Sequence, residues 1–126
     1  MNTFMLSERK DNFEINAQIC LIGRDILVIL WGGTLHIGAI GIAQPRFSLK
    51  NARNISATSS VFTFLGHKED EIAKLMSEEL AKNLNRKVVV VAGIHWDGLK
   101  TGEIKIIIGI CRRISEKIIA EIDKIV

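Results

Sequence analysis

The chain has 126 residues, with 17 Lys and Arg against 14 Asp and Glu, a formal net charge of +3 and 48% apolar residues. That length fits one domain with a real core, and high apolar content at low net charge excludes a disordered polypeptide. Cys20 and Cys111 form no C-x-x-C pair, and residues 1–11 are polar without an apolar signal core, so a reducing, cytoplasmic setting with free thiols is expected.

The positive surplus is local. Residues 1–25 carry three basic and four acidic groups and residues 69–126 carry ten of each, so the excess lies in 26–68, where Arg46, Lys50, Arg53 and Lys68 stand without a carboxylate. A nucleic-acid binder would show a denser basic stripe with interleaved aromatics. Four cations in one region suit a small anion such as a phosphate, or act as solvated loop charge. Residues 26–45 contain no Lys, Arg, Asp or Glu, long enough for a membrane helix. Gly32, Gly33, Gly38 and Gly41 and the many β-branched residues read instead as buried strands about a turn. Neither nucleic acid nor membrane is an expected partner.

In chain order, 1–12 reads as a polar N-terminal segment and 13–126 as a single α+β domain. Phe13, Ile15, Ala17, Ile19 and Leu21 alternate with polar neighbours as a half-buried strand. After a turn at Gly23, residues 26–31 are apolar on both faces, the mark of a central strand. Gly32-Gly33 turns the chain into a third strand over 35–43, where Gly38 and Gly41 signal a bulge or a close approach by another group. Gln44 to Asn54 reads as a polar loop opened by the only proline, Pro45, and 55–65 forms a fourth strand.

A helix over 67–84 follows from Ile72, Met76, Leu80 and Leu84 at i, i+4 spacing, with Asp70/Lys74 and Glu78/Lys82 as surface pairs and Asn85 as its stop. Glu69, Asp70 and Glu71 suit its first turn, where the helix dipole favours acids. Val88 to Val91 mark a fifth strand, and a last helix capped by Thr101 runs to Ile125. Its Ile-dense part, 103–110, would also pass as a strand, but the 3–4 spacing continues unbroken. The order β-β-β-β-α-β-α argues an α+β fold with a mostly antiparallel sheet and two helices.

All three histidines stand beside glycine at element ends, where loops gather into sites. They are His36 before Gly38, His67 after Gly66, and His95 after Gly93 and Ile94. A metal would find His36, His67, His95 and Asp97, though at none of the compact ligand spacings. General acid–base work would use His95 oriented by Asp97, with no Gly-x-Ser-x-Gly nucleophile to accompany it. An anion would find the helix start at His67, with Lys68 beside it and Arg46, Lys50 and Arg53 in the preceding loop. The acids of that first turn oppose an anion there. Trp96 is placed to stack on a planar ligand, cover the core or anchor an interface.

Taken together, Gly32-Gly33 with His36-Ile37-Gly38, Pro45-Arg46, Gly66-His67-Lys68-Glu69-Asp70-Glu71, and Ala92-Gly93-Ile94-His95-x-Asp97 resemble a family of small prokaryotic proteins. The family includes the small D subunit associated with gallate decarboxylase, a prenylated-flavin chaperone-like protein, and its domain is similar to proteasome assembly chaperones. The resemblance spans about 13–122; the chain departs from the pattern at Leu35, over 97–101 and at Gly102. It implies a curved, mostly antiparallel sheet with two helices, a homodimer, and a non-catalytic accessory that binds or delivers prenylated flavin mononucleotide (FMN), or FMN itself, to a UbiD-type decarboxylase. The matching positions for cofactor binding are His36, Arg46, His67, Lys68 and His95, with Asp97 secondary. Two alternatives come from other classes: an assembly module that dimerises through its last helix or a sheet edge without a small ligand, and a small His-ligated metal-dependent hydrolase.

Overall fold

The computed structural model describes residues 2–51, 53–64 and 69–125. Six strands and two helices follow one another: β1 (Asn2–Lys10), β2 (Phe13–Ile22), β3 (Asp25–Gly33), β4 (Ala39–Phe47), β5 (Ile55–Thr63), α1 (Asp70–Leu84), β6 (Val88–His95) and α2 (Thr101–Ile125). They build one six-stranded sheet in the order β1-β2-β3-β6-β4-β5. Four of its ladders are antiparallel, and the β3–β6 ladder is parallel. The fold is α+β, as expected, with a mixed sheet.

Both helices lie on one face, α1 against β4, β5 and β6 and α2 against β1, β2 and α1. The core between sheet and helices is built from the alternate residues that each strand turns inward: Ile15 and Ile19 on β2, Val28 and Leu30 on β3, Val88 and Val90 on β6. They meet Met76 and Leu80 of α1 and Ile110, Ile114 and Ile118 of α2, all buried. Alternation on the strands and 3–4 spacing on the helices are thus satisfied by the same contact. The stretch 103–110 is helical as expected. Its start is held by Glu103, whose Oε1 accepts the Lys100 N–H at 3.0 Å, rather than by the Thr101 cap that was expected. Asn85 closes α1 in the left-handed conformation (φ 54°), its N–H donating to the Ala81 carbonyl.

Several expectations change. Residues 2–10, read as a polar segment, form the edge strand β1, whose residues Asn2 to Lys10 pair with Leu21 to Phe13. Only Phe4 and Leu6 pack on the core, so the strand carries too few apolar residues to announce itself, and its charged end is what an edge needs. The expected hairpin at Gly32-Gly33 does not form, because β6 inserts between β3 and β4. The apolar run 26–45 is split between these two strands, and no helix among the described residues is long and apolar enough to cross a membrane.

Pro45 lies within β4 rather than opening a loop. It faces Ala57 of β5 on one side, while β6 pairs with β4 only over Ala39 to Ala43, so no ladder partner awaits its missing N–H. On α1, Lys74 bonds Glu78 at 2.6 Å instead of Asp70, since Glu78 also accepts from Ser59 of β5 and is held within reach.

Candidate functional site

The insertion of β6 creates the site. The connection 34–38 must pass across the C-terminal end of β6 to reach β4, and it is bonded there. Thr34 N–H donates to the His95 carbonyl at 3.0 Å, and Gly38 N–H to the Ala92 carbonyl at 2.9 Å. His36 is thereby laid over β6. A Cβ on Gly93 would sit 1.8 Å from the His36 carbonyl oxygen, so only glycine permits the crossing. The His36 and His95 rings stand edge-to-face with centroids 6.1 Å apart.

His36 is clamped on both sides. Its Nδ1 lies 2.7 Å from the Thr34 carbonyl oxygen and its Nε2 lies 2.7 Å from Oε1 of Glu69. A carbonyl only accepts, so Nδ1 donates to Thr34, and Nε2 is taken up by the hydrogen bond it shares with the Glu69 carboxyl group. The Thr34 carbonyl, then the Glu69 carboxylate, raise the His36 pKa above its ordinary 6.5, against the opposing cost of burial. Glu69 is 4% exposed and packs on Gly38, where a Cβ would come within 2.1 Å of Oε2. The glycine that signalled a close approach makes room for this carboxylate.

His95 is exposed and its Nε2 lies 2.9 Å from Oδ1 of Asp97. Next to it Trp96 meets Phe13 edge-on with centroids 5.0 Å apart, and a Cβ on Gly32 would press against the indole at 2.8 Å. Trp96 therefore covers this end of the core with one side. Its other side faces a cavity of about 370 Å³ lined by Glu69, Glu71, His95, Trp96 and apolar residues of β6, the following loop and both helices. That volume lies in the range of small-ligand sites.

The predicted site residues divide. His36, His95 and Asp97 come together at this end. Arg46 does not: it follows Ala39 by seven residues of extended β4, about 23 Å away. There its Nε bonds Thr58 Oγ1 at 2.9 Å and its Nη1 the Phe47 carbonyl at 3.2 Å. Lys50 and Arg53 lie in the β4–β5 turn at the same far end, and Arg53 shares an open hollow of about 500 Å³ with Lys82 near the C-terminus of α1. The basic loop thus faces the end of α1 rather than its start, because β5 runs the length of the sheet between them. His67 and Lys68 lie outside the described residues.

Sequence reasoning missed the role of Glu69, which it placed on the helix dipole; Gly38, two residues after His36, was the available signal. Cys111 is buried, and burial pushes its thiol up to about 12, so it is no nucleophile. Among the described residues no group of three or more His, Cys, Asp and Glu is arranged to hold a metal ion, and both His36 ring nitrogens are already engaged by Thr34 and Glu69.

A chain from the crystal structure of a novel chaperone complex for yeast 20S proteasome assembly superposes with a TM-score of 0.52 at 14% identity, covering 93% of this chain and 98% of that one. The family model described as prenylated flavin chaperone LpdD-like domain matches residues 9–123, and the chain belongs to that family. No curated protein matches the sequence.

Proposed function

We propose that this protein is a non-catalytic helper that binds prenylated FMN, or FMN, in the reducing cytoplasm and delivers it to a UbiD-type decarboxylase. The observation that carries this reading is the convergence of His36, Glu69, His95 and Asp97 beside a cavity of small-ligand size, in a chain whose family is described by a prenylated flavin. Trp96 offers a flat wall and His95 a polar contact at the mouth. Holding rather than reacting fits His36, whose two nitrogens are committed to the protein. His67 and Lys68 join the proposal on their sequence position alone, and Arg46 stands apart from this cavity. Saturating prenylated FMN should raise the melting temperature of the purified protein, and His95→Ala should reduce that rise. An unchanged melting temperature with prenylated FMN and with FMN would remove the reading.

A second reading concerns assembly, favoured by the bare face of the sheet. Across the register, Phe62, Ile40, Val91, Ile29, Gln18 and Met5 form one row, and Ser60, Ile42, Val89, Leu27, Cys20 and Thr3 the next. Neither row contains a charge. Phe62 is 62% exposed and Ile42 54%, and the same face of the sheet includes the β3–β6 parallel pair, a pairing normally covered on both faces. The six strands span about 29 Å, and with about 20 Å of strand length the face measures roughly 600 Å² in plan, approaching the roughly 800 Å² per partner of a standard interface.

The two central rows meet their own copy without charge repulsion, so we infer that the homodimer forms through this face rather than through the last helix or a sheet edge. Sedimentation should give twice the chain mass, and Ile42→Asp a monomer with unchanged circular dichroism. A wild-type monomer at micromolar concentration would refute it.

A further inference from the structure

The cavity beneath Trp96 lies where two helices begin, and two converging helix N-termini usually make an anion site. Here each is already loaded with acid. α1 starts with Asp70 and Glu71 directly after the buried Glu69. At α2, Glu103 reaches back to take the Lys100 N–H. Glu69 and Glu71 themselves line the cavity, and among the described residues its lining holds no Lys or Arg. A phosphate entering would meet the Glu69 and Glu71 carboxylates in the wall. The rest of the wall is hydrocarbon and indole, chiefly Ile72, Ile94, Leu99, Ile104 and Ile107 with Trp96.

We propose that this cavity is a hydrocarbon subsite: it takes the neutral, branched or ring-fused isoprenoid-derived part of a ligand and keeps the ligand's phosphate outside. The inference rests on the ligand-binding reading above and adds which part of the ligand this pocket recognises. Discrimination then comes from burial of the few extra carbons, each of which favours binding when removed from water, so the pocket distinguishes prenylated from unmodified flavin. The His36–Glu69 pair fixes the polar side of the wall, and Trp96, braced by Phe13, fixes the other.

The test uses the full chain carrying Trp31→Phe, so that Trp96 is the remaining indole. Its fluorescence is followed while 3-methyl-2-butenol, inorganic phosphate, FMN and prenylated FMN are titrated separately. The alcohol should give a saturable change that phosphate neither reproduces nor displaces, and prenylated FMN should bind about tenfold or more tightly than FMN. Ile104 is 46% exposed at the lip; Ile104→Glu should abolish the alcohol response and reduce the flavin preference to less than about twofold. Leu99→Glu, in the loop before α2, serves as the second lip variant, and circular dichroism reports the folding of both.

Equal affinity for the two flavins, or displacement of the alcohol by phosphate, would overturn the subsite while leaving flavin binding standing. Saturation by the alcohol with no binding of either flavin would support the subsite and remove the flavin reading instead.

Discussion

The two ends of the sheet are built from similar materials and do different work. At one end the connection 34–38 crosses β6 and seats His36 against His95 and Glu69, and Glu69, His95 and Trp96 line an apolar cavity. At the other, the β4–β5 turn carries the cations, with Arg46 bonded to Thr58 and Arg53 above the hollow it shares with Lys82. In the sequence His36 stands just before the basic loop, and the segment 26–68 reads as one anion-facing side. In space a nine-residue strand separates them in each direction. Proximity along a chain becomes proximity in a fold only across a turn, and along a strand it becomes separation.

The largest effect that would break this contrast is a lesion at the crossing itself. Gly93→Val forces a branched side chain against the His36 backbone, which cannot swing aside as a side-chain tip can. We expect a loss of about 3 kcal/mol, the upper end of overpacking costs, seen as a lower urea midpoint. An unchanged midpoint would show that 34–38 is not held over β6.

Next comes His36→Ala. It removes one partner of a pair whose side chains are 16% and 5% exposed and leaves Glu69 buried. Breaking a fully buried pair costs more, but partial solvent access at the histidine reduces the loss to about 2 kcal/mol. The same pair sets a pH dependence. The folded His36 pKa is raised above 6.5, so the folded state binds more protons than the unfolded chain in the interval between the two values. The stabilisation is complete below about pH 6.5 and fades as pH rises through the folded value. Denaturation midpoints should fall over that interval in the wild type and stay flatter in His36→Gln; equal slopes would sink the assignment.

The smallest expected effect sharpens the contrast most. Arg46→Ala and Arg53→Ala lie about 23 Å or more along the strand from the cavity and should leave prenylated-flavin affinity within about twofold, the scale of a screened, distant charge. His95→Ala should lower it measurably in the same titration. If Arg53→Ala weakens binding more than His95→Ala, the ligand lies at the basic end and the two ends must exchange roles.

Much of the fold was legible beforehand because it is locally encoded. The 3–4 spacing from Ile104 to Ile125 placed α2, and the two-faced apolar runs 26–31 and 88–91 marked the strands that became the central parallel pair. Asn85 closed α1 as its residue type suggests. β1 was not legible, since it pairs along its backbone and lends only Phe4 and Leu6 to the core. Of the site, His36, His95 and Asp97 were visible as Gly-flanked polar groups at element ends. Glu69 was not, because an acid in the first turn of a helix already has a sufficient local explanation in the dipole.

Apart from β1 and the Pro45 end of β4, the sequence by itself determined which segments become strands and helices, which residues face the core, and which residue types gather at element ends. These follow from periodicity, capping and turn chemistry, all properties of neighbours along the chain. Only the tertiary structure decided that β6 lies between β3 and β4. That single placement turns an expected hairpin into a crossing, seats His36 beside His95, and sends the basic loop to the far end. Strand order depends on pairing between residues 45 to 62 positions apart, and backbone ladders accept many partners, so no local pattern specifies which partner wins.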